Sequence, residues 1–584
     1  MSLTGTARVR SVYVAVGLTT GVLFLILRSY IQPYDARANI AKAIVATIAA
    51  ACVLYEGYRA RRNRPVAEGS KRFVGLMLAA VAILCYFNGF KYTYPPYWHH
   101  SDLFHYYMGA KYFPELRYDG LYKCTAIAQD QLGTVAWKHE TAGQRFRLDM
   151  SSEVRSPGKR IRNLGSDNLL VPVAEALEHP EWCTSRFSPE RWNAFKSDVT
   201  FFRIAADAQY WEGMQQDHGY NPPPAWTILG SFFSNLRPAS VRSMQFLAGL
   251  DLMYLAAAFA MIWWAFGWRV FAVAVTFWGC QAAAPASWTA GAFLRQDWFF
   301  YLVASACFAR KRRFKLAGAS IVYAGLLRIF PVLVVLGWLT VAGAFLIRRR
   351  RFARAHREAL VGGLLAAAVI VPLSVYVAGG GSYREFYAHT LRIHDRTPLT
   401  NHMGVPVLIA HEFGGTPGSG RMEYTVDEKL ADPFEVWKRM RNERHDRFRW
   451  LGIAIMAISG GFFVWVVRRV RLLWVAGCLG QVFIVLGAQL TSYYYSFLVL
   501  SALLTRGRRS LEVPLFGFVV LSQLVFWMLP WNDDRYAALT LLSLLLCYGL
   551  ILAFARPSPP GCFRRDFLAK CPRPLSHSDQ ERYP

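Results

Sequence analysis

The chain has 584 residues, 54% of them hydrophobic, a net charge of +28 and a mean hydropathy of +0.21. Its apolar residues come in runs of membrane-spanning length instead of alternating with polar ones, which excludes a soluble multidomain protein. Barrel-type amphipathic strands are absent, and every basic cluster abuts an apolar run, which argues against nucleic-acid binding.

In chain order, spans are predicted at 11–29, 40–58, 73–90, 246–266, 270–286, 293–309, 316–328, 331–347, 358–378, 448–466, 472–489, 492–505, 513–530 and 536–555. Helices are the expected form, because backbone polar groups in lipid must pair within their own segment. The first run is long, lacks a small-residue cleavage site and is closely followed by a second, so it is expected to be retained. Basic clusters at Arg8 and Arg10, 59–72, 310–315, 348–357, 467–471, 506–509 and Arg564–Arg565 all fall on one side of this path. The positive-inside rule makes that side cytoplasmic, with both termini inside and about fourteen spans.

The expected organisation is three N-terminal helices over 1–90, an extracytoplasmic loop over 91–245, a transmembrane bundle over 246–378, a second outer loop over 379–447, C-terminal helices over 448–555 and a cytoplasmic tail over 556–584. The stretch 224–236 is too short to span and reads as a helix in the outer interface. Of ten cysteines, only Cys124 and Cys183 lie in the large loop. An oxidising compartment allows them a disulfide, and two separate thiols fit the sequence as well.

The third span runs into Tyr94-Pro95-Pro96-Tyr97-Trp98, an expected aromatic anchor, and then His99-His100-Ser101-Asp102. From Asp102 the segment reads as a helix capped by Ser101 or Asp102 and ended by Pro114, its aromatic side chains lying on or in the outer leaflet. Asp102 is either that cap or a general base, since a carboxylate beside the bilayer is costly without a task or a partner. His99, His100, Asp102 and His105 are ligand types, but four of them within seven residues converge poorly on one ion. No metal site is expected, and a divalent cation is left open.

The run Asp102…Tyr106-Tyr107…Gly109…Tyr118…Leu121-Tyr122 resembles the first-loop signature of GT-C superfamily glycosyltransferases, in particular bacterial polyprenol-phosphate-mannose-dependent mannosyltransferases. Gly219-Tyr220-Asn221-Pro222-Pro223-Pro224 is similar to their return-loop "YPP" element, with Asn221 inserted. Leu327-Arg328-Ile329-Phe330-Pro331 resembles their basic-x-aromatic-Pro element, and Thr400-Asn401-His402-Met403-Gly404 loosely resembles an Asn-containing outer-loop element. The order and sidedness of the four elements carry the resemblance. Two extra N-terminal spans and the insert 123–218 depart from it.

The resemblance implies an all-α polytopic membrane protein, a GT-C-like bundle of about 12–14 transmembrane helices with a large first extracytoplasmic loop. It implies transfer of a mannose-like hexose or pentose from a polyprenyl-phosphate donor to a glycan, lipid or protein acceptor outside the plasma membrane of a bacterium. Such a donor brings its own leaving group, so one base and cations for the departing phosphate suffice, and no cofactor is required. Asp102 is then the base. Arg328, Arg295 and Lys111 are candidates for the phosphate, with Arg392 a further cation; guanidinium geometry suits bidentate phosphate contact. His105, Tyr106, Tyr107, Tyr220, Asn221, Asp297, Asn401, His402 and Tyr494 are candidates for contact with sugar, lipid or acceptor, and Tyr493 and Tyr495 flank Tyr494. A transporter or flippase, an O-antigen-ligase-like transferase and an assembly protein are the alternatives. The first would be expected to carry repeated halves, and the second a large loop late in the chain.

Overall fold

The computed structural model describes residues 36–90, 97–138, 145–165, 168–413 and 435–555, with a few positions between 14 and 21. Apart from those few positions the predicted first span lies outside these residues, as does the tail. Among the described residues the chain is mostly helical, and eight helices are long and apolar enough to cross a membrane. They are Ala38–Arg61, Glu68–Tyr86, Val241–Phe266, Phe330–Arg349, Arg354–Ala378, Trp437–Val467, Arg509–Met528 and Asn532–Ala555. This makes it an all-α polytopic membrane protein.

In chain order we number α1 (Ala36–Arg61), α2 (Glu68–Tyr86), α3 (His100–Leu103), α4 (Leu121–Leu132), α5 (Pro189–Ala205), α6 (Pro224–Ser234), α7 (Val241–Phe266), α8 (Trp268–Cys280), α9 (Asp297–Arg310), α10 (Phe314–Leu327) and α11 (Val335–Arg349). There follow α12 (Arg354–Ala378), α13 (Val405–Ala410), α14 (Glu435–Val467), α15 (Leu473–Leu479), α16 (Val482–Gly487), α17 (Glu512–Met528) and α18 (Asn532–Ala555). Helix α10 packs along both α9 and α12. A side chain on Gly318 would collide with the Ala359 carbonyl, and one on Gly362 with that of Lys315, so glycine allows the two backbones to touch. At the opposite end from the large loop, Arg269 of α8 is held by Glu56 of α1 (2.8 Å) and Glu512 of α17 (2.6 Å). A cation so placed needs partners of its own.

Several predicted spans are shorter than expected. Helix α8 stops at Cys280, because the approach to Pro285 disfavours helical backbone and removes a donor. Helix α9 starts at Asp297 instead of 293, because carboxylates of other elements capture the N–H groups of Phe293, Arg295 and Gln296. The stretch 472–489 is two short helices, α15 and α16, and 492–505 is mainly 3₁₀ turns around Val499–Leu503. At about 1.5 Å per residue a 14-residue helix reaches only some 21 Å, so these pieces rely on surrounding protein. Helix α14 conversely begins at Glu435, not 448, since Glu435–Arg449 lacks Pro and Gly and is rich in helix formers.

The large loop is a packed unit. Cys124 of α4 and Cys183 form a disulfide with Cα atoms 5.5 Å apart and a sequence separation of 59. Closing such a loop stabilises by about 4 kcal/mol. Two small antiparallel pairs complete the unit: β1 (Thr134–Lys138) with β2 (Arg145–Asp149), and β3 (Arg160–Arg162) with β4 (Leu170–Pro172). Helix α6 is not purely interfacial: Ala225, Trp226 and Thr227 are fully buried. Trp98 is no lipid anchor either; it is buried against Phe201 and Phe202. Phe104, Tyr106, Tyr107, Tyr112 and Phe113, expected in the outer leaflet, are likewise buried in protein. On the face that carries the large loop Arg117 binds Glu385 through two nitrogens (2.8 and 2.9 Å) and the Ala378 carbonyl, joining the loop to the segment after α12.

Candidate active site

Helix α3 starts at His100, and its cap is His99, whose Nδ1 accepts the Asp102 N–H at 3.2 Å. Asp102 is therefore not the cap; it lies in the first turn with its carboxylate aimed away from the backbone. Loss of hydration pushes the His99 imidazole down to about 4, and the nearby Asp102 only partly offsets this. The neutral ring is what an acceptor at that position requires. Beyond Leu103 the helix widens into a π turn, Phe104–Met108, and Pro114 sits inside a further turn, Phe113–Leu116, instead of ending the first.

The buried Asp102 carboxylate faces the irregular chain between α8 and α9. Its Oδ1 accepts the Phe293 N–H at 3.0 Å, and its Oδ2 meets Arg295 Nε at 2.5 Å. The Arg295 guanidinium lies 4.0 Å from the ring centre of Tyr106 and 5.6 Å from that of Tyr493. Tyr106 donates its hydroxyl to Asn221 Oδ1 at 2.6 Å. Beneath Arg295, Asp251 of α7 accepts the backbone N–H groups of Arg295 (2.8 Å) and Gln296 (3.0 Å). Two N–H groups of an unwound stretch are thereby satisfied, and the arginine is fixed at its base.

Arg328 follows the end of α10. Its Nε donates to the Tyr494 hydroxyl at 3.1 Å and its Nη1 to the Leu327 carbonyl at 2.7 Å. Its Nη2 is buried and has no hydrogen-bond partner among the described residues, as is also true of Asp297 Oδ2 at the start of α9. Tyr494 packs on Trp298 and Phe330, so aromatic rings wall both arginines. The result is two buried guanidiniums, three buried carboxylates and a wall of tyrosines.

Of the predicted residues, Asp102, Arg295, Arg328, Asp297, Tyr106, Asn221 and Tyr494 come together. Lys111 does not: its ammonium is buried on Asp198 at 2.6 Å and on Tyr107 at 2.7 Å. Tyr107 is committed to Asp198 and the Arg237 carbonyl. His105 turns into the loop, to the Met214 carbonyl (2.9 Å) and Tyr122 (2.8 Å). Tyr220 bonds Thr227 and packs so tightly on Gly109 that no larger residue fits there. His402 accepts the Leu399 N–H, and the Asn401 carbonyl accepts the Ser492 N–H, where β5 (His402–Met403) pairs with β6 (Leu490–Thr491). Their visible role is to brace the strand leading to Tyr493 and Tyr494.

Asp251 was missed, although an acid inside an apolar run is a signal of its own. Asp198, the partner that removes Lys111, was missed too and had no such signal. A group of metal-ligating type lies elsewhere: His411 Nε2 is 2.8 Å from Asp534, and the ligand atoms of His411, Asp533 and Asp534 lie within 4.8 Å of one another at the start of α18. Comparison with protein-family models, with curated proteins and with solved structures finds no match for the chain.

Proposed function

We propose that the chain is a membrane glycosyltransferase of GT-C type, which moves a sugar from a polyprenyl-phosphate donor to an extracytoplasmic hydroxyl acceptor with inversion. One observation carries the reading: Arg328, buried beside aromatic rings, keeps a guanidinium nitrogen without a hydrogen bond among the described residues, and Asp297, within its electrostatic reach, likewise keeps one carboxylate oxygen without one. A buried cation with spare donors needs an anionic guest. Lipid phosphate fits, since it brings both the charge and an apolar tail.

In this mechanism Asp102 takes the proton of the acceptor hydroxyl. Each carboxylate oxygen has two lone pairs, and each accepts one bond here, so capacity remains. The hydroxyl oxygen forms the new bond to the anomeric carbon from the face opposite the phosphate. The old carbon–oxygen bond breaks, and its electrons leave on polyprenyl phosphate, whose charge Arg328 and Arg295 neutralise. Preorganised cations in a dry site act strongly on developing charge. Asp251 and His99 hold Arg295 and Asp102 in position and touch no reacting atom.

The test is reconstitution in liposomes with radiolabelled polyprenyl-phosphate sugars, mannose first, followed by transfer to added acceptors. Wild-type transfer that survives undiminished in Asp102→Asn sinks the base assignment. Movement of intact donor across the bilayer without cleavage would replace the reading with a flippase.

A further inference from the structure

The outer face carries basic residues where charge placement predicts few. Helix α14 begins with Glu435–Arg449, which holds Lys438, Arg439, Arg441, Arg444, Arg447 and Arg449. This end of α14 lies on the same side as the disulfide-bearing loop, against Gly165, Asn168 and Leu169 of that loop and 388–397 of the second outer segment. Short basic stretches are normally retained in the cytoplasm. A basic run on the other side calls for a local reason.

The three stretches enclose an open cleft of about 630 Å³. Arg392, Arg396, Lys438 and Arg439 face Glu443 and Asp446 within it. Arg396 pairs with Asp446 at 2.8 Å. Arg392 and Arg439 have no carboxylate partner among the described residues. A second cleft of about 450 Å³ adjoins at His389. There Arg117 pairs with Glu385 and Arg186 with Asp119, and Glu115 adds a third carboxylate, so no positive charge is in excess. The excess positive charge is thus confined to the larger cleft.

We propose that this cleft, where the two outer segments meet the head of α14, binds the acceptor, and that the acceptor is an anionic glycan bearing carboxylates or phosphates. The inference rests on the glycosyl-transfer reading and names the substrate class of the same centre. The link between cleft and centre is short in contacts. Asn168 in the cleft wall meets His218, three residues before Asn221, which holds Tyr106 under Arg295. A cleft with an excess of one sign of charge concentrates ligands of the other.

A lipid headgroup is the other source of such phosphates, and helix geometry decides against it. The exposed large apolar side chains of α14 run from Phe448 onward, with Met440 the one nearer its start among the described residues. Arg439 precedes Phe448 by nine residues, roughly 13 Å along the axis. The headgroup layer is only about 5–8 Å thick on each side, so the cleft stands above it. An acidic peptide fits less well, because peptide grooves use apolar anchor pockets, and the larger cleft has no aromatic lining.

The test is direct binding to the full chain in zwitterionic nanodiscs, by calorimetry, with hexagalacturonate as probe. Saturable binding is expected, weakened about tenfold or more in the double variant Arg392→Gln/Arg439→Gln and regained in the double Lys variant, at an unchanged thermal midpoint. Equal binding by the Gln variant, no saturable binding, or equal affinity for neutral maltohexaose overturns the proposal. So does tighter binding of hexaglutamate, or loss of the probe when phosphatidylglycerol is added to the discs. Binding needs no turnover, so it is expected to survive in Asp102→Asn. A failed transfer assay therefore strikes the enzymatic reading, and failed binding strikes the cleft.

Discussion

Asp102 and Asp198 both sit near the helical run that starts at His100, both are buried, and both are paired with a cation. Asp198 is saturated. Lys111, Tyr107 and Tyr112 donate to its Oδ2, and Ala239 N–H donates to its Oδ1 at 3.0 Å. Asp102 receives one backbone N–H and one guanidinium N–H. The first arrangement ties the large loop to the start of α7 and leaves nothing to react. The second leaves lone pairs free beside two arginines, one of which has a donor to spare. The same chemistry thus builds a pillar in one place and a site in the other, and the number of donors separates them.

The difference is broken most directly by neutralising each acid. Asp102→Asn keeps the size and the bond from Phe293 but removes the proposed base, so transfer should fall roughly 10²–10⁴-fold in a reconstituted assay. Asp198→Asn should act on stability instead. It leaves Lys111 buried with its charge uncompensated, a loss of about 3–5 kcal/mol, read as a lower thermal midpoint in detergent. If Asp198→Asn lost transfer at an unchanged midpoint, the division between pillar and site would be wrong.

Asp251→Asn sharpens the comparison from the side. Its amide can still accept one N–H from Arg295 or Gln296, but the fixed seat of the arginine is loosened. A displacement near 1 Å at a reacting group costs about 10²-fold, so transfer should fall by less than in Asp102→Asn. A merely structural role predicts a lower midpoint without a change in rate. A positioning role predicts reduced turnover with donor affinity largely kept, which a split between kcat and KM distinguishes.

The long apolar runs made the membrane helices readable, and the basic clusters 59–72 and 348–357 mark where α1 gives way to α2 and α11 to α12. Asp102 and Arg328 were readable because a charge next to or within an apolar stretch needs a reason. What escaped depended on contacts distant in sequence. Lys111 looked free until Asp198, 87 residues on, was folded against it. The start of α9 looked apolar from 293, but two distant carboxylates hold that backbone out of the helix. The run 492–505 is apolar enough to span, and its 3₁₀ geometry follows from burial among other helices, which composition does not record.

The smallest expected effect concerns His99, which shares the neighbourhood of Asp102 and has no counterpart near Asp198. Its folded-state pKa is lowered to about 4 from an ordinary value near 6.5, chiefly by loss of hydration. The unfolded chain therefore binds a proton at His99 that the folded chain refuses. The sign follows: this contribution to stability is complete above about pH 6.5, is lost as the pH falls toward 4, and is constant below that. His99→Asn keeps a good cap with a side-chain acceptor and removes the titration. Its thermal midpoint should fall less steeply than that of wild type between those two pH values. Parallel curves would mean that His99 is protonated in the folded protein, and then it could not accept the Asp102 N–H that sets the direction of the candidate base.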